Sequence, residues 1–345
     1  MWRNEQGRQR RSKLRYWVVA AVAIVAIVGT VAAASATVKT PEWRPAQGSG
    51  PVAGPTTCRV GSGPYFPGYD PVTHDVYVPN LNSGNVTVLS GMCTLVGTIK
   101  LPSGAEPVAA TFSPQNNKMY VTDDGLDQVY VISGLTITHT ITSSDFTSPF
   151  EMVFDPGDSL MIVGNDGSND VVAIENLTVA GTITVGLFPE GMCYDPFINS
   201  IMVVNYGDEN VTALNAFYPF GAQLGTSPAL GGPGTDPEGC AFDYADDTDY
   251  VTNLGGNNVT MMNGYGVVFG AVTVGALPRG IVWDQSNLEI YVADSYSGHI
   301  SVIKGDHQIR NLAAGINAPE GMAFDDANNF VYVASFTSDV VYIET

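Results

Sequence analysis

The sequence predicts an all-β, seven-bladed β-propeller, and three observations lead there. A unit of proline, four residues and an aromatic recurs seven times: Pro64 to Tyr69, Pro107 to Phe112, Pro149 to Phe154, Pro189 to Tyr194, Pro237 to Phe242, Pro278 to Trp283 and Pro319 to Phe324. Successive aromatics lie 43, 42, 40, 48, 41 and 41 residues apart, the period of propeller blades built from four short strands. The composition agrees, with 38 Gly, 21 Pro, 45% apolar residues and only 14% charged ones.

Each repeat divides into strands in the same way. In the fourth, GMCYD reads as the inner strand, SIMVVNY as the second and NVTALNA as the third, while the preceding repeat ends in the outer strand GTITVG. Polar turns such as NLNSGN, DDGLDQ, NDGSND and NYGDEN separate the second and third strands, where Asn, Asp and Gly tolerate positive φ. The seventh repeat stops at Thr345, one strand short. Upstream, Thr56 to Pro64 matches the GTITVGLFP junction position for position, so this segment is expected to supply the missing outer strand and close the ring without a free edge.

The propeller is expected over residues 56–345, behind three other segments. Residues 1–15 carry six basic side chains and one acid, and read as a cytoplasmic flank. Residues 16–36 lie in an uncharged run of 23 residues that is long enough to cross a bilayer as a helix and ends in Ala34-Ser35-Ala36, a pattern a signal peptidase cuts. Both readings, a retained single-pass membrane anchor and a secreted protein cleaved near Ala36, put the remainder outside the cytoplasm. Residues 37–55, with their prolines and glycines, read as a tether.

Beyond Ala36 the chain holds 8 basic and 33 acidic residues, net −25. Such a surface repels nucleic acid and suits a soluble exterior domain or a basic partner.

Register picks out one candidate site. The residue after each repeat proline is expected in the loop entering the inner strand, at one mouth of the central channel: Tyr65, Val108, Phe150, Glu190, Glu238, Arg279 and Glu320. Three carboxylates and a guanidinium from four consecutive blades would face an apolar half. Glu190, Glu238 and Glu320 can take a cation or a sugar and Arg279 an anionic group. The alternative is a wet rim that merely tolerates charge.

Other motifs carry less. No HExxH, GxSxG, P-loop or CxxCH occurs, so no cofactor and no metal site is expected, and the Asp-rich hairpins lack the twelve-residue calcium loop. Of the four histidines, His299 falls in the sixth hairpin and His139 in an outer strand. Four cysteines in an exported chain suggest disulfides. Cys58 with Cys93 and Cys193 with Cys240 are the expected pairs because their blades are neighbours, with free thiols as the alternative. Asn85, Asn176, Asn210 and Asn258 head glycosylation sequons, three of them at one hairpin position where the repeat itself favours Asn and Thr.

Tyr250-Val251-Thr252-Asn253 spells YVTN, and Met119-Tyr120-Val121-Thr122-Asp123, Asp75-Val76-Tyr77-Val78 and Ile290 to Asp294 followed by HISVI are variants of it. Over about residues 56–345 the chain resembles the YVTN-type β-propeller family of surface-layer and other exported proteins, related to NHL-type propellers. The resemblance implies a propeller that serves as a binding scaffold or, in a few cases, an enzyme. Streptogramin-lyase-like and lactonase-like propellers need His, Glu or metal ligands at the channel mouth, and no repeat here places a histidine there. The expected function is therefore a non-enzymatic scaffold that binds a cell-surface protein, glycan or envelope component. The alternatives are a lyase or hydrolase using the Glu190, Glu238, Arg279 and Glu320 rim, and a structural envelope-layer subunit.

Overall fold

The computed structural model describes residues 56–344, apart from 217–222, 228, 231–233 and 313–314. The basic flank, the apolar run and the tether lie outside the described residues. Among the described residues no helix is long and apolar enough to cross a membrane.

The strands form seven antiparallel sheets of four. Blade 1 holds β2 (Gly68–Asp70), β3 (Asp75–Asn80), β4 (Asn85–Ser90) and β5 (Thr94–Lys100). Blade 2 begins with β6 (Pro107–Ser113), blade 3 with β10 (Pro149–Asp155), blade 4 with β14 (Pro189–Asp195), blade 5 with β18 (Pro237–Asp243), blade 6 with β22 (Pro278–Asp284) and blade 7 with β26 (Pro319–Asp325). These inner strands pack each on the next, and β26 returns to β2 to close the circle. As the repeat count predicts, the last blade, β26, β27 (Phe330–Ser335) and β28 (Val340–Glu344), takes β1 (Thr56–Arg59) as its outer strand, with Thr56 opposite Ile343 and Arg59 opposite Val340.

The second strand of each blade is buried on both faces because blades stack face to face. Val76, Tyr77 and Val78 are all fully buried, which is why these strands read as continuous apolar runs rather than alternating ones. The recurring tyrosine of these strands has a polar duty as well. In blades 1, 5 and 7 its hydroxyl donates to the carbonyl of a positive-φ glycine in the next blade: Tyr77 to Gly134 at 3.0 Å, Tyr250 to Gly305 at 3.0 Å and Tyr332 to Gly91 at 2.6 Å. The ring of each tyrosine fills the core, while its tip pins one blade to the next.

The repeat aspartate is explained by turn chemistry. Asp70, Asp155, Asp195, Asp243, Asp284 and Asp325 each accept the backbone N–H two residues on, from Val72, Gly157, Phe197, Ala245, Ser286 and Ala327. The carboxylate thus fixes the turn that leads out of the inner strand.

Two cystine bridges cross blade boundaries. Cys58 of β1 is bonded to Cys93, in the turn between β4 and β5, and Cys193 of β14 to Cys240 of β18. The first ties the ring-closing strand to blade 1.

Candidate functional site at the channel mouth

At the start of each inner strand, pairing slips. Pro237 lies opposite Asn253 but Cys240 opposite Val251, so one extra residue is accommodated. The same bulge follows Pro107, Pro149, Pro189, Pro278 and Pro319. Bulges re-aim side chains, and this one turns the residue after the proline into the channel. The sequence placed these residues in the loop entering the inner strand. In blades 2 to 7 they lie instead within the inner strand, where Val108 is 1% exposed, Glu238 1%, Glu190 7% and Glu320 8%, while Phe150 and Arg279 are half-buried.

The YVTN threonine secures the bulge. Gly239 N–H donates to Thr252 Oγ1 at 2.8 Å, and Thr252 Oγ1 donates to the carbonyl of Arg279 in the next blade at 2.7 Å. Thr122 does the same between Ala109 and Phe150. The second residue after the proline is glycine in blades 4 to 7, and close approach requires it. A Cβ on Gly191 would stand 1.9 Å from the Glu238 carbonyl oxygen, and one on Gly280 would stand 2.2 Å from that of Glu320.

On the polar half, Arg279 Nη1 donates to both oxygens of Glu238, at 2.8 and 2.9 Å. Its Nε lies 3.1 Å from Glu320 Oε2, close enough for charge attraction but not aligned as a hydrogen bond, so that buried oxygen has no donor. Glu320 Oε1 accepts from Ser295 at 3.3 Å. Burial pulls the pKa of the guanidinium down, but Glu238, Glu320, Tyr65 and Glu190 outweigh it and hold it above the ordinary arginine value. Burial raises Glu320 to about 7 against the pull of Arg279, with the Glu238 charge adding to the rise.

The sequence reading missed Glu151, a fourth carboxylate. It occupies the position where blades 4 to 7 carry glycine, and that departure from the repeat was the available signal. Its Oε2 accepts the Met192 N–H at 3.3 Å, and burial, reinforced by Glu238, raises it to about 8.

The other half is an aromatic plug. Tyr65 packs edge-on against Phe66, Phe150 and Phe336 with ring centroids 4.5, 5.9 and 5.8 Å away. Blades 1 and 2 are stitched here backbone to backbone, Phe66 N–H to the Val108 carbonyl and Ala110 N–H to the Phe66 carbonyl, each at 3.1 Å.

The remaining sites lie elsewhere. His299 opens the third strand of blade 6 and sits 3.1 Å from Asp294, His74 meets the Tyr69 hydroxyl at 2.8 Å, and His139 and His307 are on outer strands. Among the described residues, the only cluster of His, Cys, Asp or Glu donors within a metal's span is Cys193, Cys240 and Asp249, and its two sulfurs are bonded to each other. Asp249 is fully buried there, and burial raises it to about 8. Three sequon asparagines have structural partners: Asn80 Nδ2 donates to Asn85 Oδ1 and Thr87 Oγ1, Asn205 to Asn210 and Thr212, and Asn253 to Asn258 and Thr260. Asn176 stands apart, exposed in a tight turn with φ of 49°.

No family model and no curated protein sequence matches this chain. Solved structures do. A streptogramin B lyase superposes with a TM-score of 0.73 at 12% identity, over 84% of this chain and 96% of that one. A catalytically inactive histidine-to-alanine variant of virginiamycin B lyase from Staphylococcus aureus, with quinupristin, gives 0.71 at 13%, over 83% and 98%. Hydrazine synthase from Kuenenia stuttgartiensis gives 0.68 at 14%, over 82% and 95%. At these identities the likeness is one of fold, the seven-bladed propeller.

Proposed function

We propose that the chain is a non-catalytic YVTN-type scaffold displayed outside the cytoplasm, anchored or secreted through its N-terminal segment, that binds a cell-surface protein, glycan or envelope component. One observation carries the reading. Arg279 is closed on Glu238 and set against Glu320, which engages the guanidinium inside the channel mouth, and an aromatic cluster around Tyr65 stands opposite. A ring tied by two cystines and by blade-to-blade tyrosine bonds supplies a rigid acidic disc, which lowers the ordering cost of binding. The proposal is tested by sedimenting the full chain with purified cell envelopes, where saturable, fold-dependent retention is expected. Absence of retention counts against it.

A second reading, a lyase-type enzyme, is favoured by Glu151 and Glu320, whose raised pKa values lie in the range that suits acid–base chemistry at neutral pH. Incubation with quinupristin, followed by mass spectrometry, separates the two. Conversion that disappears in Glu320→Gln would replace the scaffold reading.

A further inference from the structure

The opposite mouth of the channel has a different character. A cavity of about 430 Å³, within the usual range of small-ligand sites, opens there. Four of the repeat aromatics, Tyr69, Phe112, Trp283 and Phe324, line it. Those aromatics are explained by the fold, since each also packs against a blade core.

What the fold does not explain is the position two residues further on. Blades 1 to 4 carry proline there, Pro71, Pro114, Pro156 and Pro196, as a residue leading into a turn should. Blades 5 to 7 carry Tyr244, Gln285 and Asp326, and all three line the cavity. The repeat is abandoned in consecutive blades just where the replaced side chains converge. Tyr244 is 51% exposed, so its ring is accessible to a ligand in the cavity. Its ring lies 5.0 Å from that of Trp283, tilted by 38°, with Phe242 edge-on to it at 5.0 Å, and the Tyr244 and Trp283 rings both line the cavity. Gln285 Nε2 donates to Asp326 Oδ2 at 3.4 Å.

Asp326 is the charged residue among the eight that line this bowl, none of them basic, and it is exposed at the edge. Small metal ions prefer a shell of oxygens and gain little from aromatic rings. A weakly hydrated cation gains from both the ring faces and the carboxylate.

We propose that this cavity binds an organic ammonium cation of the methylated-amine type, stacked on Tyr244 and Trp283 with Asp326 as its counter-charge. The site shares no residue with the first mouth and does not depend on the function proposed for it.

Isothermal titration calorimetry of the full chain with tetramethylammonium chloride tests this, with neopentyl alcohol as the neutral isostere, methyl glucoside as a sugar probe and sodium chloride as the ionic control. Saturable binding of tetramethylammonium is expected, with the neutral isostere weaker by about tenfold or more. Tyr244→Ala and Asp326→Asn should each weaken it by about fivefold or more. Both side chains are exposed, so thermal unfolding should be unchanged, and that measurement confirms that each variant is folded. Absence of binding, equal binding of the neutral isostere, preference for the glucoside, or indifference to both substitutions would each overturn the proposal.

Discussion

Arg279 Nη1 lies 2.8 and 2.9 Å from the two carboxylate oxygens of Glu238, which joins neighbouring blades through side chains in equivalent positions of the repeat. Glu238 is 1% exposed, so its loss would leave a guanidinium in a dry channel with a weaker partner. Breaking one side of a buried pair typically costs about 3–5 kcal/mol. Glu238→Gln should therefore lower chemical-denaturation stability by an amount of that order. The double variant Glu238→Gln/Arg279→Met should lose less than the sum of the two single variants. Additive losses would mean that the pair is not coupled.

The glycine ring makes a sharper steric prediction. Gly191→Ala puts a methyl group 1.9 Å from the Glu238 carbonyl and forces neighbouring inner strands apart, whereas a Cβ on Gly181 in an outer strand meets nothing within 4 Å. Overpacking of this kind costs about 1–3 kcal/mol. Thermal melts should show a clear loss for Gly191→Ala and little change for Gly181→Ala. Equal melting points would contradict the close approach of the blades.

These two cases mark how far the sequence could be read. Blade count, strand order and ring closure were legible because Pro64 to Tyr69 and its six counterparts repeat at fixed spacing, and because Thr56 to Pro64 copies an outer-strand junction. Register also selects Glu190, Glu238, Arg279 and Glu320, of which the structure sets Arg279 against Glu238 and Glu320. Their burial was not legible. The proline and glycine that flank each of these residues in blades 4 to 7 read as loop residues, whereas in the structure they belong to a bulged strand whose close packing requires the glycine. Glu151 is not selected by the position after the proline, because it stands one residue later, where blades 4 to 7 carry glycine. The NVT sequons show the opposite hazard. Asn85 and Thr87 recur because Asn80 hydrogen-bonds both, a structural reason for a pattern that resembles a modification signal.

Reduction should weaken ring closure. The Cys58–Cys93 bridge spans 35 residues and ties down β1, the N-terminal strand that completes the sheet of β26, β27 and β28. Chain-entropy reasoning assigns a loop of that length about 3–4 kcal/mol. Cys58→Ser/Cys93→Ser should lower the melting temperature, and hydrogen exchange should open first along β1 and β28. Unchanged protection of these strands would show that strand pairing alone closes the ring.

Stability should fall as pH rises from acid toward neutrality and beyond. Burial raises Asp155 to about 6, Glu320 and Glu344 to about 7, and Glu151 and Asp249 to about 8, whereas unfolded carboxylates titrate near about 4. Between those values the folded chain holds protons that the unfolded chain has released. The stabilisation is thus complete below the unfolded pKa and is lost as pH rises through about 6 to 8. Self-repulsion of a chain with formal charge −20 acts in the same direction. The melting temperature is expected to drop by roughly 5 °C or more between pH 5 and pH 8.5. Asp249→Asn removes one of the groups whose ionisation is most opposed by burial, and it should flatten the slope at its alkaline end. A melting temperature that climbed over this interval would mean that these carboxylates are ionised in the folded ring.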